Sequence, residues 1–138
     1  MLNKEAIKER LKEIKENLIL LDEIKKVPQK DFMGDIKLFK ACERCLQISI
    51  QCLLDIAHYI IAQHKWDRAS DNKEAIRSMA QHSVIPDDFA KKIMPMAGLR
   101  NLLVHEYIKI DPELIHKNLQ NLEDFREFSR YILKYINK

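Results

Sequence analysis

Arg100, Asn101, His105 and Tyr107 put a guanidinium, an amide, an imidazole and a phenol within eight residues, among Met94, Met96, Ala97, Leu99, Leu102, Leu103 and Val104. A guanidinium is costly to desolvate unless it is paired, so packing alone does not select this mixture. The set suits phosphodiester cleavage. A neutral imidazole accepts the proton of a ribose 2′-hydroxyl, and an imidazolium donates to the leaving oxygen. Arginine adds a permanent charge in a fork that matches phosphate oxygens, where transition-state charge grows. Asn101 would orient the imidazole or the phosphate. A phenol, ordinarily titrating near pH 10, is a poor base at neutral pH, so Tyr107 reads as a nucleotide contact or a modification target. An arginine and a histidine five apart also arise by chance, as a paired arginine and a hydrogen-bonded core histidine. Spacing alone does not decide between the two.

The helix that must carry these residues sets a constraint. At about 100° per residue, Arg100 and Tyr107 lie about 20° apart on the wheel, Asn101 and His105 about 40°, and Arg100 and His105 about 140°. One straight helix therefore presents the arginine and the histidine to different sides. Either the helix distorts, or two copies meet across a two-fold axis so that residues from both chains converge.

Periodicity supplies the elements. Ile7, Leu11, Ile14, Leu18 and Leu21 step by four and three, predicting a first helix over about residues 3–26. Val27-Pro28 ends it, because the residue before proline is pushed out of the α region. A second helix is expected over about 31–64, with Met33-Gly34 falling near its start. Leu46, Ile50, Leu53, Ala57 and Ile60 form one apolar side, and Ile36, Phe39, Ile48, Leu54, Ile56 and Ile61 add others, which predicts burial between neighbours. A short helix over about 73–82 is capped by Ser70 or Asp71. Pro86, Asp87 and Asp88 open a fourth helix with favourable dipole charges, expected to run to about Ile110 and to be kinked at Pro95. The last helix, over about 112–136, buries Ile115, Leu119, Leu122, Phe125, Phe128 and Ile132. The expected fold is all-α: an up-and-down bundle of four main helices and one short one, forming a single domain over 1–138.

Composition agrees. With two glycines and four prolines in 138 residues, the chain lacks the turn chemistry that a β-fold needs. No apolar run of about 18 residues stands out as a spanning helix, and the N-terminus is charged where a signal peptide would be apolar. The expected location is cytoplasmic. A formal net charge of +3 permits contact with a polyanion without demanding it. Cys42, Cys45 and Cys52 share one helix. The CxxC of Cys42 and Cys45 lacks the strand–helix setting of a redox site and the second ligand pair of a zinc site, so all three read as small buried residues. His64, His82 and His116 follow no ligand spacing and read as surface residues. No metal site and no cofactor are expected.

Two segments together carry a resemblance. MAGLRNLLVHEYIKID resembles the signature of the HEPN superfamily, most closely its HepT branch, in which arginine, four residues, histidine, one residue and tyrosine fall here on Arg100, His105 and Tyr107, with Asn101 after the arginine. ERCLQISIQCLLDIAHYIIAQ is similar to the branch's second helix, with Gln47, Asp55 and His58 on its pattern. The resemblance implies a dimeric, HEPN-like, metal-independent RNA endonuclease, the toxin of a type VII-like HepT/MntA toxin–antitoxin pair, with its cleft between two motif-bearing helices. It implies Arg100 and His105 as the catalytic pair. Its partner would be an MntA-like minimal nucleotidyltransferase that adenylylates Tyr107, adding a bulky anion where RNA phosphate must bind. Asp55 and His58, three apart on one helical face, would be a hydrogen-bonded pair tying helices together or, with Asn101, a support for the cleft. The alternative is a non-catalytic partner of a nucleotidyltransferase that holds a nucleotide or polynucleotide in the same cleft. A purely structural helical dimer is the third reading.

Overall fold

Side-chain caps open most of the long helices in the computed structural model, which describes residues 2–105 and 109–138. Helix α1 (Lys4–Lys25) begins where Asn3 Oδ1 accepts from the N–H groups of Glu5 and Ala6 at 3.1 and 3.3 Å, which satisfies two donors that have no intrahelical partner. After Pro28 comes a short helix α2 (Gln29–Met33), which buries Phe32. Gly34 and Asp35 then separate it from α3 (Ile36–Gln63), whose first turn Asp35 caps through Leu38 N–H at 3.1 Å. The single helix expected over 31–64 is therefore two. Ile36, expected in an apolar face, stands 72% exposed at the start of α3.

Of the two candidate caps for the short helix, Asp71 takes the role for α4 (Asn72–Gln81), accepting from Glu74 N–H at 2.8 Å. The fourth expected helix divides at Pro95, which has no N–H to continue the ladder. Its halves are α5 (Asp87–Ile93) and α6 (Pro95–Val104). It also stops earlier than the apolar pattern suggested. At His105 the backbone turns to φ −90°, ψ 77°, outside the helical region, so the helix does not reach Ile110. The last helix likewise has two parts. Helix α7 (Pro112–Asn118), capped by Asp111, tightens into a 3₁₀ turn at Leu119–Asn121 before α8 (Leu122–Ile136). The turn buries Leu119 while α8 buries Leu122, Phe125, Phe128, Ile132 and Ile136, so the break re-aims the apolar stripe without exposing it.

Among the described residues there is no strand. Helix α3 is the central rod: α1 packs along it, and α4, α6, α7 and α8 all touch it. One continuous 18-residue stretch of it is strongly apolar, and 56% of that stretch is buried inside the fold. This corrects the expectation of no such run, since the stretch is long and apolar enough to cross a membrane, although the bundle already covers much of it. The α1 stripe is buried as expected from Ile7 to Leu21, and Ile24 continues it. Lys92 ties α5 to α8 through the nearly buried Asp124 at 3.3 Å and Glu127 at 3.0 Å. Among the described residues no buried side-chain polar atom lacks a hydrogen-bond partner, as a well-formed interior requires.

Candidate active site

Arg100 sits half-buried on α6, facing α3. Its Nε–H donates to Gln51 Oε1 at 3.0 Å, and Nη1 donates to Asn101 Oδ1 at 3.2 Å. One turn along α3, Gln51 Nε2 donates to Asp55 Oδ1 at 2.8 Å. The other carboxylate oxygen of Asp55 faces Arg10 Nε of α1 at 3.8 Å. A chain of side chains thus runs from α1 through α3 to α6, with an amide as its middle link. An amide suits that position, because it accepts from a guanidinium with one atom and donates to a carboxylate with the other. The guanidinium is held by its inner edge. Three of its five N–H groups remain for a ligand among the described residues.

His105 follows immediately on the last residue of α6 and is exposed. The chain leaves the helix between the arginine and the imidazole, so the 140° separation on a straight helix no longer applies. Tyr107 lies outside the described residues.

Asp55 and His58 do not form a pair. Asp55 serves Gln51 and Arg10, whereas His58 Nε2 meets Asn72 Oδ1 at 2.9 Å and so ties α3 to α4. A three-residue step on a helix makes two side chains neighbours, but each here finds a partner on another element or one turn away. Gln47, placed in the helix pattern by sequence, instead accepts from Arg44 Nη1 at 3.3 Å. The residue of the candidate site that sequence reasoning missed is Gln51, which joins Arg100 to Asp55. Its position four residues before Asp55, on the same face, was the available signal.

His58 and Asn101 line one groove of about 890 Å³ with Gly98, Asn72 and the basic side chains of Lys65, Arg68 and Lys73. Of the histidines expected at the surface, His64 and His82 are exposed and His116 is half-buried. The two exposed rings stack on Trp66, at 4.6 and 3.6 Å between ring centroids, and His64 Nε2 meets the Tyr135 hydroxyl at 2.8 Å. His116 packs against the buried Phe32 at 5.2 Å. Cys42 and Cys45 are buried as expected, whereas Cys52 is half-buried. Burial, with the neighbouring Cys45, pushes the Cys42 thiol up to about 12, and burial raises Cys45 and takes Cys52 to about 11. Protonated thiols are poor nucleophiles and poor ligands. Among the described residues no three His, Cys, Asp or Glu side chains gather where they could hold a metal ion.

Known proteins resemble this chain along most of its length. The family described as HepT-like (Ribonuclease HepT-like) matches residues 7–132. The tRNA nuclease HepT of Aphanizomenon flos-aquae is 31% identical over 120 residues, covering 84% of this chain and 82% of the relative. The mRNA nuclease HepT of Shewanella oneidensis is 28% identical over 94 residues, covering 67% and 65%. Among solved structures, a tri-AMPylated Shewanella oneidensis HEPN toxin in complex with MNT antitoxin superposes with a TM-score of 0.84 at 24% identity, over 97% of this chain and 99% of that one. The cytosolic protein YutE of Bacillus subtilis, of unknown function, superposes with a TM-score of 0.86 at 15% identity, over 98% and 91%.

Proposed function

The chain belongs to the HepT-like ribonuclease family, and from that premise we propose that it is a metal-independent RNA endonuclease, the toxin of a HepT/MntA-type pair, acting in the cytoplasm through Arg100 and His105. The observation that carries this reading is the anchoring of Arg100. A guanidinium held by Gln51 through Nε and by Asn101 through Nη1 still has three N–H groups without a partner among the described residues, which is how a permanent charge is set in advance for an anionic transition state. His105 takes the proton of the ribose 2′-hydroxyl as the 2′-oxygen attacks phosphorus. The bond from phosphorus to the 5′-oxygen breaks, and that oxygen leaves with a proton from an imidazolium. The products are a 2′,3′-cyclic phosphate and a free 5′-hydroxyl. A symmetric dimer supplies both imidazoles, one as base and one as acid, across its axis. Asn101 and Asp55 position Arg100, the latter through Gln51, and His58 supports the adjoining groove.

The test is RNA cleavage in EDTA by protein whose assembly is measured in the same buffer by sedimentation equilibrium. The expected result is a dimer that cuts RNA, leaves DNA intact and yields 2′,3′-cyclic ends. Cleavage of DNA, loss of activity in chelator, or a fully active monomer would overturn the mechanism. RNA binding without cleavage would instead favour the non-catalytic partner of a nucleotidyltransferase.

The expected partner is an MntA-like nucleotidyltransferase that adenylylates Tyr107. The AMPylated state of the structurally similar HEPN toxin supports this, and so does chemistry, since a transferred AMP adds an anion where phosphate must bind. Tyr107→Phe should keep most of the RNA cleavage and escape silencing by the partner. Mass spectrometry of co-produced wild-type protein should place AMP on Tyr107. An unmodified Tyr107 in cells where the partner still silences the toxin would mean inhibition by complex formation alone.

A further inference from the structure

Lys65, Arg68 and Lys73 line the same groove as His58, Gly98 and Asn101, and three features make that groove more than a surface dent. The first is charge. None of the three cations has an ion pair among the described residues. Asp71, which also lines the groove, caps α4 at 2.8 Å, Glu74 accepts from the N–H and hydroxyl of Ser70 at 2.9 and 2.7 Å, and Asp67 lies between Lys65 and Arg68 in the sequence. The lining therefore carries three cations against the one carboxylate of Asp71, in a chain whose formal net charge is +3.

The second feature is Gly98. A glycine inside a helix costs about 0.5–1 kcal/mol relative to alanine. Here the backbone is ordinary helix, and an added Cβ would meet nothing within 4 Å. Neither conformation nor packing within the chain requires glycine. Its effect is to leave the α6 wall open to close approach by a ligand, two residues before Arg100.

The third is rigidity. Lys65 takes a left-handed backbone (φ 56°) in the turn that ends α3, with its N–H on Ala62 O at 3.2 Å and Trp66 N–H on Ile61 O at 3.1 Å. The Trp66 ring lies nearly parallel to both His82 and His64. Two imidazoles that close cannot share one face, so they sandwich the indole. The wall is thereby braced, and both indole faces are occupied. What the groove offers is charge and amide groups, the chemistry of phosphate contact rather than base stacking.

We propose that this groove is a binding site for the RNA backbone, holding phosphates on Lys65, Arg68 and Lys73 and delivering the strand past Gly98 to Arg100. The proposal rests on the reading of this chain as an RNA-directed protein, and it assigns sequence-independent affinity to a region outside the Arg100–His105 motif.

The experiment measures binding of a fluorescent oligoribonucleotide by anisotropy across salt concentrations, on the His105→Ala background so that the probe survives. The triple variant K65E/R68E/K73E should weaken binding by about tenfold or more and flatten the dependence of log affinity on log salt by about 2, near 0.7 for each lost phosphate contact. K8E/K12E/K15E on α1, with the same change in net charge, should leave the salt slope as it was. Gly98→Leu should weaken binding with melting temperature and sedimentation unchanged. Equal effects of the two triple variants would overturn the proposal, as would a Gly98→Leu variant that alters only the oligomeric state, which would make the groove a contact between copies. The outcomes separate from the nuclease reading. RNA bound with the expected slope but never cut refutes the nuclease and keeps the groove, whereas normal cleavage with an unaltered slope in K65E/R68E/K73E does the reverse.

Discussion

Replacing His105 with alanine is expected to slow RNA cleavage by about 10²–10⁴-fold, the usual contribution of a positioned acid or base, with little change in stability. The imidazole stands exposed just beyond the last residue of α6, so its removal opens no cavity in the core. The loss should therefore appear in kcat, because the proton transfer is made only in the transition state. Initial rates on a labelled RNA, with a thermal melt of the same sample, check both halves. His105→Ala retaining more than about a tenth of wild-type kcat would remove the imidazole from the proposed proton transfer.

Replacing Arg100 should cost a comparable factor, about 10²–10³-fold for one lost oxyanion-type donor, but with a different signature. Arg100→Ala removes the charge and also strips Gln51 Oε1 of its donor on α3. Some loss of stability is expected along with the loss of rate. Arg100→Lys separates the two effects. A lysine keeps the charge as a point but cannot hold Gln51 while presenting a fork to phosphate, so it should stay well below wild type in kcat. Gln51→Leu should fall between them, because the guanidinium remains but loses the link to Asp55 and Arg10 that sets its direction. Full activity in Arg100→Lys would show that a diffuse positive charge is sufficient and that the anchoring is structural only.

The sequence was most informative where causes are local. The α1 stripe from Ile7 to Leu21, the cap at Asp71 (offered alongside Ser70) and the break at Pro95, expected as a kink, all follow from interactions within a turn or two. The Arg100, Asn101 and His105 cluster was legible for the same reason, as residue types concentrated within eight positions. The break between α2 and α3 carries its marker in Gly34 and Asp35, but at two other places where the sequence misled no local marker existed. Neither the end of α6 at Val104 nor the 3₁₀ turn at Leu119–Asn121 contains a glycine or a proline. Apolar residues continue through both places, and periodicity continued with them.

What only the tertiary structure decided are the partnerships between distant residues. Arg100 meets Gln51 across 49 positions of sequence, and Asp55 and His58, neighbours on one helical face, turn to different elements because α1 and α4 lie on different sides of α3. Trp66 finds its flanking imidazoles only when the ends of α3 and α4 come together. A sequence sets which faces are apolar and where helices begin. Which polar side chain satisfies which is settled by the packing of those faces, since a buried guanidinium or carboxylate takes whatever partner the neighbouring helix brings within reach.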